Sequence, residues 1–382
     1  LDFSLFKGKI SGSLDYYKNT TKDLLLQSAI PSNTGFTTQW NNVGTTSNQG
    51  VELGLTTYLI DKRDVSLSAN FNIGFNRSSV DELDGTTERF FQSNWASTDL
   101  KDQDDYYVRV GGSLGDIYGY VTDGYYTEAD FASYNPVTKT YTLKEGVPNS
   151  GGTVGNTALR PGFLKLKDLN SDGVINSKDR TIIGNALPKH QGGFGFDFRF
   201  KGLDASVFFN WSYGNDVYNT GKIQYNQFRR VTYGNLLSSM SLANRYSYID
   251  VDGSITGVAG EVVTDLSKLA QLNAGKNIWS PASFGVAQAT IHSWAVEDGS
   301  FLRLNNANLG YTLPAKLTQK AGMSQFRVYV TGNNLWLLTN YSGYDPEVST
   351  SRSSAYSGLT PGVDYSSFPR SRSYTVGVNI TF

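Results

Sequence analysis

The sequence predicts an all-β protein whose strands form the wall of a membrane-spanning antiparallel barrel. Three observations lead there: a turn-rich and aromatic-rich composition, strict two-residue alternation in segments of about ten residues, and a lopsided pattern of connections. The chain has 382 residues, 39% apolar and 18% charged, with a formal net charge of -1. It is too ordered in composition for a disordered tail and too neutral to bind nucleic acid through bulk charge. Aromatics reach 13%, with 24 Tyr and 21 Phe, alongside 40 Gly and no Cys. The absence of cysteine removes disulfides, zinc-thiolate sites and thiol nucleophiles, and His190 and His292 are the only imidazoles. No apolar run approaches the roughly 18 residues that a membrane helix needs, a limit that does not touch β-barrels.

The start, Leu1 to Phe6, reads as the end of a strand, followed by a turn at 7–9 and a strand in which Ile10, Gly12, Leu14 and Tyr16 alternate with Ser11, Ser13 and Asp15. Val51, Leu53, Leu55 and Leu59 then alternate with polar or small neighbours. After Asp61 to Asp64, Val65, Leu67, Ala69, Phe71, Ile73 and Phe75 do the same against Ser66, Ser68, Asn70 and Asn72. Phe194, Phe196, Phe198 and Phe200 share one face opposite Asp197 and Arg199. Across Gly202, Leu203, Ala205, Val207, Phe209, Trp211 and Tyr213 share a face opposite Asp204, Ser206, Asn210 and Ser212, which makes a hairpin. Residues 301–311 change face near Asn305 and Asn306, the mark of a β-bulge. Phe326, Val328 and Val330 oppose Arg327, Tyr329 and Thr331, and Tyr374, Val376, Val378, Ile380 and Phe382 close the chain.

Alternation alone does not separate a soluble sandwich from a membrane barrel. The connections do. Short joins near 7–9, 61–64, 201–203 and 312–324 alternate with long ones at about 20–47, 77–190, 214–298 and 340–370, so every long loop falls at one end of the sheet. About ten residues at roughly 3.4 Å, tilted near 45°, cover about 24 Å, close to the apolar band of an outer-membrane barrel. Trp211, Tyr213 and Trp336 stand at strand ends, where an interfacial belt places them. Asp197, Arg199, Asp204, Asn70, Asn72 and Arg327 then face a hydrated lumen. About nine strands are expected, beginning in mid-strand, and an odd count does not close into an antiparallel barrel. Leu1 is not a methionine and no secretory leader follows it, so the chain reads as the C-terminal part of a larger barrel.

Several stretches resemble a known family. They are Val110-Gly-Gly-Ser-Leu-Gly-Asp-Ile-Tyr-Gly-Tyr-Val-Thr-Asp-Gly-Tyr-Tyr126, Asp168-Leu-Asn-Ser-Asp-Gly-Val-Ile-Asn-Ser-Lys-Asp-Arg-Thr-Ile-Ile-Gly-Asn185 with Pro188, and Asn48-Gln-Gly-Val-Glu-Leu53. Leu302-Arg-Leu304 leading to Gly310-Tyr-Thr-Leu-Pro314, Val330-Thr-Gly-Asn-Asn-Leu-Trp336 and Gly343-Tyr-Asp-Pro-Glu347 complete the set, spread in order over nearly the whole chain. Together they resemble the C-terminal half of SusC/RagA-like TonB-dependent transporters, and Phe382 is similar to the closing residue of outer-membrane barrels. The resemblance implies a 22-stranded barrel in the outer membrane of a Gram-negative bacterium, occluded by an N-terminal plug and energised through TonB. It also implies a SusD-like surface lipoprotein as lid and delivery of a glycan, oligosaccharide or peptide. The plug and the TonB-contacting box lie outside these 382 residues.

The sharpest local motif is Asp168-x-Asn170-x-Asp172-Gly173-Val174-x-Asn176-x-x-Asp179. Oxygen donors at positions 1, 3, 5, 7, 9 and 12, with glycine at 6, suit a hard cation, so a structural Ca²⁺ bracing the long loop is expected. An Asx-rich turn that braces itself is the other reading. Gly111-x-Ser113-x-Gly115 matches a nucleophile elbow, but no helix follows it and no triad accompanies it, so no enzyme activity is expected. Trp40, Trp95, Trp279 and Trp294 fall in the long loops. Trp279 and Trp294 are candidates for stacking on a substrate, against packing within the loops or contact with a lid protein. A secreted β-rich carbohydrate-binding or adhesion module with a calcium loop is the alternative from another class.

Overall fold

The computed structural model describes residues 1–31, 33, 35–94, 103–228, 234–283, 290–350, 357–365 and 367–382. Trp95 lies outside the described residues. Nine strands form one sheet: β1 (Asp2–Leu5), β2 (Ile10–Ala29), β3 (Thr38–Lys62), β4 (Val65–Glu82), β5 (His190–Phe200), β6 (Leu203–Tyr213), β7 (Phe301–Thr312), β8 (Gln325–Thr339) and β9 (Ser373–Thr381). Each pairs antiparallel with the next in the chain, and the sheet is open, with β1 and β9 as its edges.

The register puts the alternating residues where their chemistry requires. Phe194 stands opposite Phe209 on one side and Phe71 on the other, and its ring stacks on Phe209 at 4.8 Å and 11°. Asp197 is opposite Ser206 and Arg199 opposite Asp204, one residue out of phase and so on the other face. The shift of register between Leu304 and Asn306, against both β6 and β8, makes Asn305 the extra residue of the expected bulge. The apolar face stays open: Val376 is 75% exposed, Val378 50%, Leu309 49% and Phe200 44%. A continuous apolar face of that extent has no stable place in water, but hydrocarbon covers it.

Short turns occupy one end of the sheet. In the four-residue connection between Leu5 and its partner Ile10, Phe6, Lys7 and Gly8 take positive φ (55°, 59° and 86°). The 313–324 connection carries two short helical turns, Ala315–Thr318 and Gln319–Ala321. At the other end, the connection expected at 20–47 narrows to residues 30–37, because β2 and β3 stay paired as far as Ala29 opposite Thr38. β4 likewise continues to Glu82. These added rungs mix Thr, Ser, Asn and Gln with Leu24, Leu25 and Leu26, and a bulge at Lys22 and Asp23 breaks the period.

The principal hydrophobic core lies in the long connections and not in the wall. Glu88–Phe91, Tyr106–Arg109, Asp116–Tyr120 and Arg180–Asn185 form a four-stranded sheet. Asp216–Asn219 pairs with Val296–Asp298 and, in parallel, with Val363–Asp364, which joins the third and fourth long connections. Leu26, Val80, Leu83, Phe91, Tyr106, Val108, Ile117, Tyr218, Ile223, Ile291, Ala295 and Val363 form one buried cluster drawn from the last three long connections and the strand ends beneath them. Burial of this kind, at roughly 25 cal/mol per Å² of apolar surface, makes the connections a folded layer.

Candidate functional site

The inner face of the wall and the loop layer above it bound two cavities. The lower one, about 890 Å³, is lined on the wall side by Asp15, Glu52, Asn72, Gln191 and Asn210, and on the loop side by Glu347. All five wall residues fall on the polar face, so this space is hydrated lumen. Deeper on that face, Arg327 reaches across β7 to Asp204 through two hydrogen bonds, Nε to Oδ1 at 3.0 Å and Nη2 to Oδ2 at 2.6 Å. Asp204 is paired with Gly310, and a Cβ there would lie 2.2 Å from Arg327 Nη2, so glycine opens the path for the guanidinium.

A four-membered ion cluster ties the last long connection to the wall. Arg303, on the polar face of β7, is 2% exposed. Its Nη2 donates to Asp345 Oδ1 at 2.7 Å and its Nη1 to Asn334 Oδ1. Its Nε lies 3.0 Å from Glu347 Oε2 without a hydrogen-bond angle, so that contact is coulombic. Arg370 completes the cluster from outside, 3.5 Å from Asp345 and 3.0 Å from Glu347. Two of the sequence stretches noted above, Leu302-Arg-Leu304 and Gly343-Tyr-Asp-Pro-Glu347, therefore act on each other. Neither had been singled out as a site; the signal was an arginine between two leucines on a strand and an acidic pair flanking a proline.

The upper cavity, about 880 Å³, lies among the third and fourth long connections and is lined by Lys222, Tyr225, Trp294, Ser342, Tyr344 and Phe368. Glu297 organises it, accepting from Asn219 Nδ2 at 2.9 Å, Ser342 N at 3.0 Å and Ser342 Oγ at 2.8 Å, with Lys222 Nζ at 3.4 Å. Lys222 also stands 4.2 Å above the Trp294 ring, and burial lowers its pKa against the pull of Glu297. Tyr341 donates to Asp364 Oδ2 at 2.5 Å, and burial together with that carboxylate raises its pKa. Aromatic faces beside hydroxyls and amides suit a ligand that is polar at its edge and apolar in its plane.

The two candidate tryptophans part company. Trp279 is 3% exposed and packs with Val154, Leu164, Leu166, Ile175, Met240 and Ile278, edge-on to Trp294 at 4.9 Å. Trp294 is half-buried and reaches the upper cavity. Trp40 sits on β3, half exposed, opposite Gln27. His292 is fully buried against Trp279 at 5.4 Å, and burial, aided by Lys222, lowers its pKa to about 3, so it packs as a neutral ring. His190 accepts from Trp211 Nε1 at 3.1 Å and stacks on Tyr213 at 4.9 Å at the top of β5. Asp105 is buried under the four-stranded sheet, where burial raises its pKa to about 7 although Ser93 donates to it. Ser113 Oγ meets Leu114 O and Ser78 Oγ, with no imidazole in the arrangement.

In the 168–179 loop the side-chain oxygens meet backbone amides. Asp168 accepts from Ser171 N and Gly173 N, Asn170 from Asp172 N, Asp172 from Val174 N, and Asn176 from Lys178 N. Asp179 is buried, and its two oxygens accept from Leu169 N and Asn176 N. Desolvation raises the pKa of Asp168, but the amides of Gly173, Ser171, Asp172 and Asn170 together outweigh it and hold the carboxyl below the usual carboxylate range. Among the described residues no three His, Cys, Asp or Glu side chains converge as a metal group. The donor set still fits a hard cation, since each carboxylate oxygen keeps a second lone pair beyond its amide bond.

A polar inner face, an apolar outer face and long connections folded over one end define this chain as part of the wall of a membrane β-barrel. Over its whole length it resembles SusC/RagA-like TonB-dependent transporters. It is 29% identical over 383 residues to TonB-dependent receptor P3 of Formosa agariphila, covering 100% of this chain and 33% of that protein. It is 23% identical over 385 residues to TonB-dependent receptor SusC of Bacteroides thetaiotaomicron, covering 100% and 31%. The solved RagAB peptide transporter shares the fold, with a TM-score of 0.68 at 20% identity over 100% of this chain and 34% of that one. The chain thus spans about a third of the length of the relatives it matches. No family model matches it.

Proposed function

We propose that this chain is the C-terminal part of the barrel of an outer-membrane transporter that imports a nutrient by TonB-dependent active transport and catalyses no bond-making. The observation that carries the reading is the nine-strand wall with its apolar face outward and its long connections folded over a polar lumen. The similarity of the whole of this chain to about a third of each of two TonB-dependent receptors supports it. In this reading the lumen wall lowers the cost of moving a polar cargo through the bilayer. The upper cavity holds a glycan, oligosaccharide or peptide, with Trp294 as the stacking surface. A SusD-like lipoprotein covers the loop layer, and TonB acts through a part of the protein outside this chain.

Uptake of labelled oligosaccharide and peptide pools by cells with and without the gene, each with and without a protonophore, tests the proposal. Energy-dependent uptake that disappears with the gene supports it, and uptake that ignores either variable contradicts it. Co-purification of a surface lipoprotein with the detergent-extracted protein tests the partner. For the 168–179 loop we propose a structural Ca²⁺ held by Asp168, Asn170, Asp172, the Val174 carbonyl, Asn176 and Asp179.

A further inference from the structure

The outer face of the wall carries a built row of cations at the level of the membrane surface, which the transport reading does not use. The aromatic row of the long-loop end is set by register: Tyr16 pairs with Val51 and Val51 with Phe75. The Phe75 ring lies 5.4 Å from His190, which stacks on Tyr213. From His190 to Phe200 along β5 a tilted strand of this length covers about 24 Å, the thickness of the apolar band. At its far end Lys201 Nζ lies 5.3 Å from the Phe200 ring. The Tyr16–Phe75–His190–Tyr213 row therefore marks the outer interface.

One step higher on the same face, about 7 Å along the strands, Lys18 pairs with Gln49 and Gln49 with Arg77, so two cations flank an amide in one rung. Lys189 precedes His190 at the same end, and its side chain covers Gly214. Lys18, Arg77 and Lys189 are exposed, and none has an ion pair within 4.0 Å among the described residues. Asp81, further up β4, accepts from Ser47 Oγ at 3.0 Å. A cleft of about 740 Å³ opens at this place, lined by Tyr16, Gln49, Phe75, Arg77, Lys189 and His190. Exposed cations with no ion pair within 4.0 Å among the described residues, above an aromatic belt, match an anionic headgroup above its acyl chains.

We propose that this cleft binds the phosphorylated sugar headgroup of an outer-leaflet glycolipid, with Lys18, Arg77 and Lys189 on phosphate and Tyr16, Phe75 and Tyr213 against the upper acyl and sugar surface. The inference rests on the long-loop end facing the cell exterior. The partner is the lipid and not free phosphate, because the cations stand directly over the lipid-facing belt.

The test uses protein extracted from its native outer membrane, delipidated, placed in nanodiscs and titrated with bis-phosphorylated lipid A or its dephosphorylated form, with bound lipid counted by native mass spectrometry. The Lys18→Ala/Arg77→Ala/Lys189→Ala variant is expected to retain at least about tenfold less bis-phosphorylated lipid A. Dephosphorylated lipid A should bind both proteins equally weakly, and excess inorganic phosphate should not displace the lipid. Arg63→Ala/Lys201→Ala, at the opposite interface, should match the parent. Equal retention by the triple variant, equal binding of dephosphorylated lipid, displacement by inorganic phosphate or equal loss in the opposite-end variant would overturn the proposal. Heat-modifiable migration, read on every sample before lipid is added, reports separately on the barrel: its loss in the parent would refute the membrane reading itself.

Discussion

Removing Arg303 should release the last long connection from the wall while leaving the barrel in place. Breaking a buried ion pair by deleting one partner costs about 3–5 kcal/mol, because the other charge stays buried. Arg303 is 2% exposed and the Asp345 side chain 5%, so this pair belongs in that class. Arg370 offsets part of the loss, since it already stands 3.5 Å from Asp345 and is half exposed. A net effect near the bottom of the range, about 3 kcal/mol, raises the undocked fraction of the loop by about 150-fold at a tenfold change per 1.4 kcal/mol. Hydrogen exchange reads this directly at two amides: Glu347 N, held by Asp345 Oδ1 at 2.9 Å, and Thr350 N, held by Val363 O at 2.7 Å. Arg303→Met should speed exchange at both by about two orders of magnitude, with β5 and β6 unchanged. Asp345→Asn should do less, because Glu347 remains beside Arg303. Exchange at Glu347 and Thr350 within about threefold of the parent in Arg303→Met would refute the idea that this cluster holds the loop.

Other expectations follow from the same geometry. Gly310→Ala should displace the Arg327 guanidinium and cost about 1–3 kcal/mol for the buried mismatch, read as a lower temperature of heat-modifiable migration. Trp279→Ala should loosen the loop layer by about 3–5 kcal/mol and expose it to protease, whereas Trp294→Ala should weaken ligand binding with protease resistance intact. Because the folded pKa of His292, about 3, lies below its ordinary 6.5, its contribution is complete above pH 6.5 and fades as pH falls toward 3. Asp105 has the opposite sign: its folded pKa of about 7 exceeds 3.8, so its contribution is complete below pH 3.8 and is lost as pH rises through 7. Protease resistance of the loop layer against pH should lose the first slope in His292→Phe and the second in Asp105→Asn. Calcium titration by calorimetry should give heat that Asp168→Asn and Asp172→Asn abolish, with chelator restoring protease cleavage between 165 and 185; no heat in the parent would leave the loop braced by its own amides alone.

What was legible in the sequence was whatever the two-sided environment imposes. Between lipid and water every second residue must change character, so the Phe194–Phe200 face, its partner across Gly202 and the slip at Asn305 could be read residue by residue. Above the membrane that constraint ends, and the paired rungs of β2 and β3 beyond residue 20 looked like loop. The folded loop layer was hidden for another reason. Its core joins Leu26, Ile117, Ile223 and Val363 across hundreds of residues, and such contacts leave no local period. Trp279 and Trp294 looked alike in sequence because exposure depends on those same contacts. The cluster brings Arg303 to acidic residues 42 and more positions away, so only its separate halves were visible.

The most direct test of the membrane wall is labelling of single cysteines along one strand of this chain, which itself contains none, with any cysteine elsewhere in the protein first replaced by serine. Phe196→Cys, Asp197→Cys, Phe198→Cys and Arg199→Cys would be treated in intact outer membranes with a membrane-impermeant maleimide and with a lipid-soluble one. The account expects positions 197 and 199 to react with the aqueous reagent once it is admitted to the lumen, and 196 and 198 to react only with the lipid-soluble one. Equal aqueous labelling at all four positions, or the reverse alternation, would contradict a β-barrel wall with its phenylalanine face in lipid.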